Sequence, residues 1–132
     1  KNESIYQCAA QEVREEVGIR VASLRLAAAL RFYDFGNGFS MAGYVFTSRA
    51  FEGAAVSSSE AVPFWCRLDE IPYDEMWEDD ALWLPQVLAG DCIIGDFIFE
   101  NDRLRSHDTR QVDQREIQRY FEIGSIGAKG GV

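Results

Sequence analysis

The chain has 132 residues, enough for one domain with its own core, and its 47% hydrophobic and 13% aromatic content exclude a disordered polymer. A net charge of −9 repels nucleic-acid polymers and anionic membranes, while a small anionic substrate stays compatible with it when metal cations screen the charge. Dispersed Cys8, Cys66 and Cys92 with no CxxC pair read as free thiols of a reducing compartment, and the lone His107 argues against zinc; with no apolar run near the ~18 residues of a membrane span, a cytoplasmic location is expected.

In chain order, residues 4–17 form the first expected helix. Ser4 with Gln7 matches a capping box, and Gly18 stands where a C-terminal cap belongs. Ile5, Ala9, Val13 and Val17 recur every four residues and supply a stripe for the core. Strands follow over Val21–Tyr33 and over 39–47 (F-S-M-A-G-Y-V-F-T), joined by the turn G-N-G at 36–38. S-S-S-E (57–60) is a loop leading to a short strand, Pro63–Leu68. Asp79 or Asp80 caps a second helix that tolerates Pro85 and ends near Gly90. Residues 92–100 and 103–112 close a hairpin around Asn101-Asp102, an amphipathic piece covers 113–122, and a Gly-rich tail ends the chain. With no repeat and no linker, this order predicts one α/β domain with a mixed sheet and two or three helices.

The first helix concentrates Glu12, Glu15 and Glu16 in five residues. Positions i, i+3 and i+4 share a face, so the carboxylates are expected to converge, at a cost to the helix from like charge and from its own negative C-terminal end. A bound divalent cation reverses that sign, and hard oxygen ligands suit magnesium or manganese with substrate phosphates. A solvated acidic face is the other account of the same spacing.

The order E-x7-Q-E-V-R-E-E-V-G-I, counted from Glu3, resembles the signature of the Nudix hydrolase superfamily, G-x5-E-x7-R-E-U-x-E-E-x-G-U with U aliphatic. Glu3, Glu12, Val13, Glu15, Glu16, Gly18 and Ile19 fall in register, while Gln11 stands where the family has arginine. The resemblance implies an α/β/α sandwich with a mixed sheet, catalytic divalent metal (Mg2+, with Mn2+ as a substitute) on Glu12, Glu15 and Glu16, and attack of water on a phosphorus. The family's arginine orients a catalytic glutamate; Gln11 donates a hydrogen bond without the charge, so reduced turnover is expected.

The segment W-C-R-L-D-E-I-P-Y-D-E-M-W-E-D-D-A-L-W-L-P (65–85) is similar to the base-pocket wall of the oxidised purine nucleoside triphosphatases, the 8-oxo-dGTP diphosphatases of that superfamily. By that resemblance Trp77 stacks on the purine, and Asp79 and Asp80 hydrogen-bond its edge. Adjacent carboxylates in an apolar pocket do not both ionise easily, so one keeps a proton and the pair offers donor and acceptor. Phe32 and Met41 line the same pocket in relatives, and Glu60 matches a loop glutamate that approaches the metal; core packing, helix capping and a surface loop are the plainer roles for these residues.

Family members place a strand and a glycine loop before the signature helix. The chain as given is thus expected to lack that first strand, with the Nudix domain over 1–122 and the tail 123–132 a candidate for the glycine loop, since I-G-A-K-G-G-V read onto K-N-E-S resembles it. The expected partner is a small-molecule nucleotide, the expected assembly a monomer or homodimer. Two further readings stay open: a Nudix enzyme for another nucleotide or nucleoside diphosphate derivative, and a catalytically impaired nucleotide- or protein-binding module.

Overall fold

A computed structural model of the chain describes residues 5–119. Of these, 5–25 with 46–71 make one compact unit, and 26–45 with 72–119 make another.

In the first unit, helix α1 (Ile5–Val17) leads to strand β1 (Arg20–Ala22), which pairs antiparallel with β4 (Ala50–Glu52). Gly18 ends the helix at φ +80°, its N–H donating to the Arg14 carbonyl at 2.9 Å. Glycine suits this place because only it adopts that conformation freely. A side chain is also excluded there, since a Cβ would lie 2.9 Å from Val56 Cγ2. The predicted core stripe is a correction. No residue of α1 is buried, and Ile5 and Val13 remain exposed. Tyr6 meets Phe46 edge-on at 4.9 Å, so the apolar contact is aromatic and lies off the stripe. The strand expected over Pro63–Leu68 is absent as well. That stretch has no ladder partner among the described residues, and Leu68–Glu70 closes a 3-10 turn. Pro63 brings no N–H to a ladder, and Phe64 and Trp65 stay exposed.

The second unit holds a mixed four-stranded sheet in the order β3-β2-β5-β6. Strand β2 (Arg25–Asp34) runs parallel to β5 (Cys92–Glu100), and β5 pairs antiparallel with β6 (Arg103–Val112). The run expected as one strand over 21–33 is broken at Ser23, whose φ of 56° interrupts the extended backbone. Strand β3 (Phe39–Thr47) and the hairpin stand where the sequence places them. Asn101 and Asp102 have φ of 50° and 69°, the pair of positive values that a two-residue primed turn requires.

Leu26–Leu30 is buried without alternation, as a strand bonded on both edges and covered on both faces demands. Ala28, Leu30, Ile93, Phe97 and Phe99 join Trp83 and Val87 of helix α2 (Asp80–Leu88) in one core. Past the sheet, 114–119 is helical. Asp113 Oδ1 accepts from the Glu116 N–H at 2.7 Å and starts it, and Ile117 is fully buried. The rest of the expected amphipathic piece, the capping Ser4 and the Gly-rich tail lie outside the described residues.

Candidate active site

Glu12, Glu15 and Glu16 project from the last turns of α1, all exposed. The expected convergence is not present: among the described residues no three His, Cys, Asp or Glu side chains are grouped to hold a metal, and Glu60 joins no such group. Glu60 sits in an exposed loop with its N–H on Ser58 Oγ at 3.1 Å. The physical reason lies in the like charges. With water available, Glu15 and Glu12 each turn to a neutral donor on their own helix. Gln11 Nε2 donates to Glu15 Oε2 at 2.9 Å, and the Cys8 thiol points at Glu12 Oε2 at 3.8 Å. Gln11 thus donates to Glu15 without carrying a charge. The donor set still fits a hard divalent cation. It offers oxygen ligands only, on consecutive turns, with no ion pair to Arg or Lys among the described residues competing for them.

The second unit carries a cavity of about 540 Å³. Phe32, Met41, Trp77, Asp79 and Asp80, drawn from the 49 residues 32–80 around two strands and a helix start, all line it. Trp77 is half exposed and meets Phe99 edge-on at 6.0 Å. Its segment is tied to β6 through Glu78, which accepts from the Leu104 N–H at 2.7 Å and from the Arg103 guanidinium at 3.3 Å. These two donors, the backbone one first, hold the Glu78 carboxyl below its usual pKa.

Asp79 and Asp80 are adjacent and unlike. Asp79 is 4% exposed, takes the position before α2, and makes no capping bond; its Oδ2 accepts from Trp83 Nε1 at 2.8 Å instead. Burial of Asp80, and then the charge of Asp79, raise the Asp80 pKa above its ordinary value. A raised carboxyl makes the folded state more stable below its folded pKa, and that advantage is lost as pH rises through it. Asp80→Asn is therefore expected to raise the melting temperature relative to the parent above this window and to leave it unchanged at the acid end. Melts from about pH 4 to about pH 8 would show it, and parallel curves for the two proteins would refute it.

Tyr33, Asp34, Asn37, Phe39, Trp83, Phe99 and Asp102 line the same cavity and escaped the sequence reading. Asp34 is the most informative of them. It is 7% exposed and accepts from the N–H groups of Asn37, Asn101 and Asp102 at 3.0, 2.9 and 2.8 Å. Burial alone would push its carboxyl up. The backbone N–H groups of Asp102, Asn37, Asn101 and Gly36 outweigh that and hold its pKa below the ordinary value. One carboxylate so joins the turn after β2 to the hairpin turn 67 residues onward. An Asp ending a strand, followed by G-N-G, was the available signal; its second turn is non-local and leaves none.

The described chain combines a mixed α/β fold with a glutamate-rich helix in one unit and a cavity walled by aromatics and paired carboxylates in the other. The chain matches the NUDIX domain over residues 1–87, more than half its length, and it belongs to the Nudix hydrolase family. Among curated relatives it is similar to the oxidized purine nucleoside triphosphate hydrolase of Danio rerio, 33% identical over 112 residues that span 84% of this chain and 72% of that one. The protein of the same name from Mus musculus is 32% identical over 114 residues, 86% of this chain and 73% of the relative. Among solved structures, the MutT protein of Bacillus halodurans superposes with a TM-score of 0.61 at 22% identity, covering 82% of this chain and 74% of that one, a likeness of fold.

Proposed function

We propose that the chain is a magnesium-dependent diphosphohydrolase of oxidised purine nucleoside triphosphates such as 8-oxo-dGTP, releasing the nucleoside monophosphate and pyrophosphate. The observation that carries this reading is the cavity that gathers Trp77, Asp79, Asp80, Phe32 and Met41. An apolar slot of that size takes a fused heterocycle, and the aspartate pair at its wall offers hydrogen-bonding groups to its edge. The curated relatives named as hydrolases of oxidised purine nucleoside triphosphates support the same substrate class.

In this proposal Trp77 stacks on the base, Asp79 is held in place by the Trp83 indole, and Asp80, whose burial raises its pKa, hydrogen-bonds the edge of the base. Magnesium bound by Glu12, Glu15 and Glu16, with manganese as a substitute, supplies charge neutralisation and a more acidic water. Gln11 holds Glu15, and Glu60 or a cluster glutamate takes the proton of the attacking water. The oxygen–phosphorus bond to water forms as the bond to the pyrophosphate group breaks. The Nudix domain in this proposal covers 1–122, with the tail 123–132, outside the described residues, a candidate for its glycine loop, in a cytoplasmic monomer or homodimer that acts on small nucleotides.

The test is pyrophosphate release from a panel of nucleoside triphosphates and diphosphate derivatives with magnesium. Preference for 8-oxo-dGTP over dGTP is the expected result, and preference for a nucleoside diphosphate derivative would replace the substrate. Binding without any turnover would select an impaired binding module, a reading favoured by Gln11 and by carboxylates that are not gathered.

A further inference from the structure

The turn after β2 holds a side chain whose orientation is decided by its neighbours. Asn37 Nδ2 lies 3.1 Å from Asp34 Oδ2 and 3.0 Å from Asp102 Oδ1, so both amide hydrogens are donated to carboxylates. A flipped amide would set its oxygen against two carboxylate oxygens, which electrostatics forbids. The Asn37 backbone N–H is bound too, at 3.0 Å on Asp34 Oδ1. The side-chain carbonyl is the group left over, on a residue that lines the cavity.

The lining around it holds no cationic donor. No Lys, Arg or His contributes to the cavity wall, the indole N–H of Trp83 is taken by Asp79, and Asp34 is filled by its own turn donors. A base edge that reaches the Asn37 side-chain carbonyl pairs with it only by bringing an N–H group. We infer that Asn37 is a specificity-determining residue, its carbonyl locked as an acceptor by Asp34 and Asp102 and selecting purines that carry an exocyclic amino group. Asp34 is the positioning residue that holds it. This deepens the purine reading of the site and rests on it for the identity of the ligand.

Guanosine and inosine differ only by the 2-amino group, and tryptophan fluorescence reports their binding through Trp77 without any turnover. The intact protein is expected to bind guanosine about fivefold more tightly than inosine, the factor that one net hydrogen bond to a water-accessible acceptor typically contributes. Asn37→Ala brings the ratio to about one by weakening guanosine alone, and Asn37→Ser, whose short hydroxyl replaces the amide and does not reach as far, does the same. Asp34→Asn also lowers the ratio, an effect on selectivity that loss of stability alone would not produce. Equal affinities in the intact protein, no binding of either nucleoside, or an unchanged ratio in Asn37→Ala and Asn37→Ser with native melting curves would each overturn the inference. Selective binding without hydrolysis of any nucleotide would leave it standing and sink the proposed reaction.

Discussion

Glu15→Gln is expected to lower kcat/KM for the preferred triphosphate about a thousandfold while leaving the melting temperature unchanged or slightly higher. The two halves of this expectation have one cause. Glu15 shares a helix face with Glu12 and Glu16 close to a negative helix end, so removing its charge relieves repulsion. In the proposed reaction the same charge holds the magnesium ion that in turn meets the triphosphate. Steady-state kinetics over a magnesium titration, paired with thermal melts, would separate a functional charge from a structural one. Activity within threefold of the parent at saturating magnesium would remove Glu15 from the metal set. Gln11→Arg extends the experiment in the other direction. Gln11 Nε2 already bonds Glu15 Oε2 at 2.9 Å, and a guanidinium in its place adds charge to that bond and is expected to raise turnover several-fold.

Phe97→Ala is expected to cost about 3–5 kcal/mol of stability and to weaken nucleoside binding in the same variant. Phe97 is fully buried, and its ring stacks on Phe32 at 5.5 Å with 19° between the planes. Phe32 faces the cavity, so the core residue supports a wall of the pocket directly. The ring has little freedom to rearrange. A Cβ on Gly95 would meet it at 2.9 Å and Leu30 at 3.3 Å, which shows how closely the sheet packs there. Urea denaturation gives the stability loss, and fluorescence titration of the folded fraction gives the affinity. Phe97→Leu, which restores most of the volume, is expected to recover stability ahead of affinity because the stacked partner of Phe32 is still missing. Full affinity in Phe97→Ala would show that Phe32 needs no support from beneath.

Much of the fold was open to sequence reading wherever the signal was local. The β5–β6 hairpin announces itself through Asn101-Asp102, since these residue types tolerate the positive φ that the turn requires. Helix α2 has an apolar pattern and an acidic start, and its first residue fell within one place of expectation. Local signals failed where pairing had no counterpart nearby. Strand β4 is three residues long and exists because Ala50–Glu52 finds β1 about thirty residues earlier. Pro63–Leu68 has the composition of a strand and no partner, and it stays unpaired. The stripe of α1 was periodic, yet periodicity states which residues share a face and not what will cover it.

The site divides along the same line. Motif spacing was enough to nominate Glu12, Glu15 and Glu16 and to bring Trp77, Asp79 and Asp80 together, because each set lies within a few residues of chain. The sequence by itself determined the family, the acidic helix and the turn chemistry, all of them properties of residue types at fixed short separations. Tertiary structure alone decided that Asp79 serves the Trp83 indole and caps nothing, and that the three glutamates do not gather on their own. It alone joined Asp34 to a turn 67 residues away and so gave Asn37 its orientation. Burial, hydrogen-bond competition and the repulsion of like charges act between atoms in space, and a linear pattern carries none of those distances.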